Sequence, residues 1–178
     1  MLFNRQDFLL NAFASYVRQT TIATKRAVLQ AYRENPEITE MFLRYFDAKF
    51  NPVKAADREF EPLEREIDAL MPKNTALKAV WSVLKAMLRT NFFQNGGGKD
   101  YLSFKLASRE IHHLPKPKPM AEIFVYSDDV DAVHLRFGKI ARGGIRWSNR
   151  KEDFRTEILG LVKARLKTAQ GKKFANMP

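Results

Sequence analysis

The chain has 178 residues, 45% of them hydrophobic and 29% charged, the balance of a globular chain with one domain or two small ones. It holds no cysteine, which excludes a disulfide scaffold, a thiolate metal site and cysteine catalysis. Lys and Arg number 31 against 20 Asp and Glu, a net +11, of which residues 1–95 carry +3 and residues 96–178 carry +8, so the second half invites an anionic partner such as nucleic acid, phosphate or a carboxylate.

The first ninety residues read as helical. Phe8, Leu9, Ala12, Phe13, Tyr16 and Val17 recur at three- and four-residue spacing, the mark of one apolar helix face. A second helix is expected from Pro36, with Asn35 as its cap and Glu37 in its first turn. It carries Ile38, Met41, Phe42, Tyr45 and Phe46 inward and stops at Asn51-Pro52, because the residue before proline avoids helical angles. Leu63, Ile67 and Leu70 predict a third, short helix closed by Pro72. Leu77, Val80, Trp81, Leu84, Met87 and Leu88 predict a fourth.

Asn95-Gly96-Gly97-Gly98 breaks this pattern, since three glycines continue a helix only at a cost. A boundary is expected there, between a helical segment of residues 1–95 and a second unit of residues 96–178. No glycine-lysine-serine/threonine ending follows, as a phosphate loop requires, and the run precedes an expected strand rather than a helix.

Beyond the glycines the period becomes two. Tyr101 to Ala107, Ile123 to Tyr126 and Val133 to Phe137 are expected strands, the last following an acidic turn at Asp128, Asp129 and Asp131. Three prolines between Leu114 and Pro119 make an extended connection. Ala141 to Gly144 reads as a tight loop. A final helix is expected from Asn149, with Glu152 completing a capping box and Phe154, Ile158, Leu161 and Val162 on its buried face. The predicted class is α+β: a helical segment, then a small mixed sheet with a C-terminal helix.

The chemistry is sparse. His112, His113 and His134 are the three histidines. Adjacent histidines on an extended chain point to opposite sides, so no metal site is expected. No Gly-x-Ser-x-Gly elbow and no Gly-x-Gly-x-x-Gly fingerprint occurs. The longest apolar runs are too short to cross a membrane, and no signal peptide is read. Arg142-Gly143-Gly144-Ile145-Arg146-Trp147 stands out. Two guanidinium groups flank a glycine pair that lets another group come close, and such groups bind planar carboxylates or phosphates bidentately. A water-facing turn explains the same residues equally well.

Ala141 to Ala164, ARGGIRWSNRKEDFRTEILGLVKA, closely resembles a signature of the large NAD-specific glutamate dehydrogenases of bacteria. The resemblance extends to Val125–Lys139 (VYSDDVDAVHLRFGK), Tyr101–Leu106 (YLSFKL), Leu88–Gln94 (LRTNFFQ) and, more loosely, Phe46–Pro52 (FDAKFNP). It implies oxidative deamination of L-glutamate to 2-oxoglutarate and ammonia with NAD as hydride acceptor, a homo-oligomer and a cytoplasmic setting. It implies that Arg142, Gly143, Gly144 and Arg146 bind substrate. Arg142 takes the slot of a carboxylate-binding lysine in the smaller glutamate dehydrogenases, and Arg146 matches a second basic position that either braces the loop or helps bind the anion.

In that family the sequence continues into a Gly-x-Lys-Gly-Gly loop and a nucleotide-binding domain. Here the chain reads RLKTAQGKKFANMP after Ala164, with Thr168 where a lysine is expected. The resemblance therefore implies a truncated start of the substrate domain, inactive alone, with no catalytic residue and no bound NAD. Two alternatives are a non-catalytic assembly piece of a split enzyme and a basic nucleic-acid binder.

Overall fold

The computed structural model describes residues 5–54, 60–94, 100–114 and 116–138, and the backbone path of residues 141–148. The elements run α1 (Arg5–Gln19), α2 (Lys25–Glu34), α3 (Pro36–Phe50), α4 (Glu61–Leu70), α5 (Thr75–Ala86), β1 (Met87–Thr90), β2 (Leu102–Leu106), β3 (Ala121–Tyr126), β4 (Val130–Arg136) and β5 (Ala141–Ser148), with single 3-10 turns at Pro52–Lys54 and Ser108–Glu110. The class is α+β, as expected. The final helix expected from Asn149, with its cap, lies outside the described residues.

The helix starts follow side-chain chemistry. Asn74 Oδ1 accepts from the amides of Ala76 and Leu77 at 2.9 and 3.1 Å and so opens α5. Thr24 does the same for α2 through Ala27. Asn35 stands at the α3 cap position but makes no side-chain cap bond. Its Nδ2 and its backbone amide both donate to the Ala31 carbonyl, closing α2. Helix α2 was not among the expected elements. It buries only Val28, Ala31 and Tyr32, too short a stripe to stand out.

The expected fourth helix is shorter than its periodicity suggests. It ends at Ala86, and Met87 and Leu88 belong to β1. Met87 pairs with Leu106, and the Ala86 carbonyl accepts the Ala107 amide at 2.9 Å. Pairing with a distant strand overrides the local helical spacing here.

The five strands form one sheet in the order β1-β2-β3-β4-β5. The short connections between the expected strands imply antiparallel neighbours at least in part, and in the small sheet every described pair is antiparallel. Parallel neighbours need a long crossover, usually a helix, and among the described residues only a 3-10 turn lies between successive strands. Alternation along the strands then gives the sheet two faces. Leu102, Phe104, Leu106, Phe124, Val133 and Leu135 are buried on one, while Lys105, Ile123 and His134 are exposed on the other.

The helices pack on the buried face. Phe13 of α1 stacks on Phe104 of β2 at 5.1 Å, and Tyr16 meets the edge of Phe124 at 5.3 Å. Phe42 and Tyr45 of α3 enclose Trp81 of α5 at 5.7 and 4.7 Å. Such pairs contribute beyond their area. One core runs through helices and sheet, from Phe8 to Tyr126, and residues on both sides of the glycine run contribute to it.

Candidate functional site

The segment Arg142–Arg146 lies on β5, so the tight loop expected at Ala141 to Gly144 is corrected to a strand. Pairing to β4 is the cause: Leu135 faces Arg142, His134 faces Gly143 and Val133 faces Gly144. Two glycines in a row weaken a strand by themselves, and a ladder of seven pairs with β4 offsets that. Strand β4 ends at Arg136 and β5 begins at Ala141.

The ladder slips once. Ala132 pairs with Ile145 and Asp131 with Trp147, which leaves Arg146 as the extra residue on β5. A bulge of this kind bends the strand, raises its twist and re-aims the residues around it, and bulges concentrate at sheet edges and beside active sites. Backbone placement thus brings Arg142, Gly143, Gly144 and Arg146 onto one strand, at the edge of the sheet among the described residues, with Arg142 and Arg146 on either side of the glycine pair and Arg146 at the irregularity.

Opposite the bulge sits a buried polar cluster that the sequence reading placed in an acidic turn. Asp131 is the second residue of β4 and only 1% exposed. Its Oδ2 accepts from the Arg18 guanidinium of α1 at 3.0 Å. Lys25 of α2 lies over the Tyr126 ring at 5.3 Å, and the Tyr126 hydroxyl donates to Asp128 at 3.2 Å. Burial pushes the Asp131 carboxyl up to about 6, against the pull of Arg18 and Lys25. Burial also lowers the Lys25 ammonium, opposed by Asp131. The signal in the sequence was the alternation Asp131, Val133, Leu135, which puts the carboxylate on the inward face.

A second buried carboxylate, Glu122 of β3, accepts from the Tyr16 hydroxyl at 3.1 Å and from Ser108 at 3.3 Å. Both acidic groups tie α1 to the sheet. Burial, helped by Lys118 and His112, pulls the His113 imidazole down to about 4, so it is neutral near pH 7. His134 is exposed on the opposite face, away from the other two histidines. Among the described residues no group of three metal-ligating side chains comes together.

The other segments that carry the resemblance meet each other. Phe46 packs against Phe92 and Phe93 at 5.1 and 5.9 Å. Asn91 continues the β1–β2 ladder with its side chain: Oδ1 accepts the Ser103 amide at 2.7 Å and Nδ2 donates to the Tyr101 carbonyl at 3.3 Å. Arg5 donates to the Phe92 carbonyl and lies over its ring. Beside them opens a cleft of about 580 Å³ walled by Arg44, Asp47, Lys54, Phe92 and Phe93. These motif residues hold the helical segment to the first two strands.

Comparison with known proteins identifies the family of the sequence. Residues 63–170 match the family described as bacterial NAD-glutamate dehydrogenase, catalytic domain, and residues 1–52 match glutamate dehydrogenase, helical motif 3. The NAD-specific glutamate dehydrogenase of Mycobacterium tuberculosis is 42% identical over 174 residues. Those of Halomonas elongata and Pseudomonas aeruginosa are 40% and 39% identical over 171 and 175 residues. Each alignment covers 90% of this chain and 11% of the relative, so the chain spans about a ninth of their length. The strand with the two arginines falls within the catalytic match, and the chain belongs to the bacterial NAD-glutamate dehydrogenase family.

Proposed function

We propose that this chain supplies the carboxylate-binding strand of an enzyme that oxidises L-glutamate to 2-oxoglutarate and ammonia with NAD. The observation that carries the reading is the bulged edge strand with Arg142 and Arg146 inside the span matched to the catalytic domain. Arg142 supplies the bidentate donor for a substrate carboxylate, Gly143 and Gly144 let that carboxylate approach the backbone, and Arg146 braces the strand or adds a second cationic contact. Residues 1–95 act as the helical support and residues 96–178 as the start of the substrate domain. A homo-oligomeric, cytoplasmic enzyme completes the proposal.

NAD does not fit the residues present. The described sheet is antiparallel throughout, without the parallel βαβ unit that cradles a dinucleotide, and the 178 residues contain no Gly-x-Gly-x-x-Gly. No hydride-transfer step follows for this chain by itself. Its own residues bind and orient a dicarboxylate, which is the part of catalysis that positioning supplies.

The test is an NADH absorbance assay on the purified 178 residues, alone and coexpressed with a chain encoding the remaining regions of a family member. The proposal predicts no glutamate-dependent signal alone and a signal on coexpression that Arg142→Ala removes. Turnover by the isolated chain, or a complemented signal indifferent to Arg142→Ala, would refute it.

A further inference from the structure

We infer that the Arg18–Asp131 ion pair sets the position of the β5 bulge, which makes both residues positioning residues for the strand proposed to receive substrate; their part in binding rests on that proposal. The register of β4 against β5 slips between Asp131 and Ala132, opposite Arg146. Strand register follows from what holds the side chains, and a slip of one residue sends each to the other face. The glycine pair of β5 contributes no side chain to that choice. The residue at the slip does.

Asp131 is 1% exposed, and its Oδ2 lies 3.0 Å from the Arg18 guanidinium. A buried carboxylate parted from its partner is left as an uncompensated charge, which is strongly unfavourable. The carboxylate therefore stays where the guanidinium is. Arg18 is fixed in turn, as the penultimate residue of α1. That helix is seated on the sheet by Phe13 on Phe104 and Tyr16 on Phe124, and Val17 beside Arg18 is fully buried. The hairpin before Asp131 is closed as well. The Ser127 amide donates to the Val130 carbonyl at 3.0 Å, and the Val130 amide donates to Ser127 Oγ at 3.1 Å. Asp131 is thus held by the turn behind it and by α1 across from it, and the slip falls at the next residue.

The same helix makes a second buried tie to the sheet, from the Tyr16 hydroxyl to Glu122 at 3.1 Å. Glu122 pairs with Leu135, toward the other end of β4 and away from the slip. It supplies a control: a tie from α1 that contributes to stability without setting the bulge.

Nuclear magnetic resonance reads the register directly, through backbone proton contacts between Ala132 and Ile145 and between Asp131 and Trp147. The Phe124–Val133 pair of β3 and β4 is the internal reference, and 2-oxoglutarate is titrated into the same samples. Arg18→Met and Asp131→Asn should each lose the two contacts at the slip, keep the reference and weaken 2-oxoglutarate binding by about tenfold. Their combination should be no worse than either alone, because the residues act as a pair. Asp131→Asn keeps the side chain's shape and removes its charge, so it serves where Arg18→Met does not fold. Arg18→Lys should keep the contacts, since the charge remains. Tyr16→Phe should lower thermal stability and keep them too. Intact slip contacts in Arg18→Met and Asp131→Asn, or their loss in Tyr16→Phe, would overturn the inference. Lost contacts with unchanged 2-oxoglutarate affinity would overturn the positioning role. A native chain that shows the slip and binds no 2-oxoglutarate would sink the reading of β5 as a substrate strand, and the positioning role with it, while the slip contacts still decide the anchor.

Discussion

Asp131 and His113 act in opposite directions on pH dependence. The folded Asp131 carboxyl is pushed up from 3.8 to about 6, so the native chain binds that proton more tightly than the unfolded one. Its contribution to stability therefore grows as pH falls from 6 towards 4. The folded His113 imidazole is pulled down from 6.5 to about 4, so its contribution is lost over nearly the same range. Each effect is on the order of 1–3 kcal/mol, and in the native chain they offset each other. Thermal unfolding of Asp131→Asn should show stability falling more steeply between pH 6.5 and 4.5 than in the native chain. His113→Gln should show it falling less steeply, or rising. Parallel curves for all three would contradict this assignment. Asp131 also shows what the sequence leaves unread at this scale. Its inward alternation was visible, but its partner Arg18 lies 113 residues away in the chain, and only the fold brings the two together.

The elements were legible where apolar residues are dense. The stripes of α1, α3 and α5 and the alternation of β2 to β4 give the right type in the right place, because burial of one face dictates the period. Helix α2 was missed since it buries three side chains. Strands β1 and β5 were misread because long-range pairing, with Leu106 and with β4, decides them. The capping roles of Asn74 and Asn35 look alike in sequence and differ in the fold. Asn74→Ala should destabilise by about 1 kcal/mol, since it orphans two amides at the start of α5. Asn35→Ala should leave the start of α3 intact and loosen the end of α2, where its side chain bonds the Ala31 carbonyl. Hydrogen exchange of the first-turn amides of α3 and α5 separates the two outcomes.

At the scale of the whole molecule, one core joins helices to sheet. Phe13 touches both Phe46 of α3 and Phe104 of β2, at 6.0 and 5.1 Å. Phe13→Ala should therefore cost on the order of 3–5 kcal/mol and abolish helical and sheet signals in a single transition. Loss of the sheet with the helices intact would mean two independent units. Proteolysis within Gly96 to Lys99 should yield two pieces that still migrate together under native conditions, because the core spans the cut. Separation of the pieces would contradict a shared core.

Calorimetric titration of 2-oxoglutarate into the 178-residue chain tests the proposed role of Arg142 on β5 in receiving a substrate carboxylate. Weak, saturable binding at millimolar concentration is expected, which Arg142→Ala abolishes and Arg142→Lys partly retains, since an ammonium keeps the charge and loses the two parallel donors. Equal heats for the native chain and Arg142→Ala would contradict it.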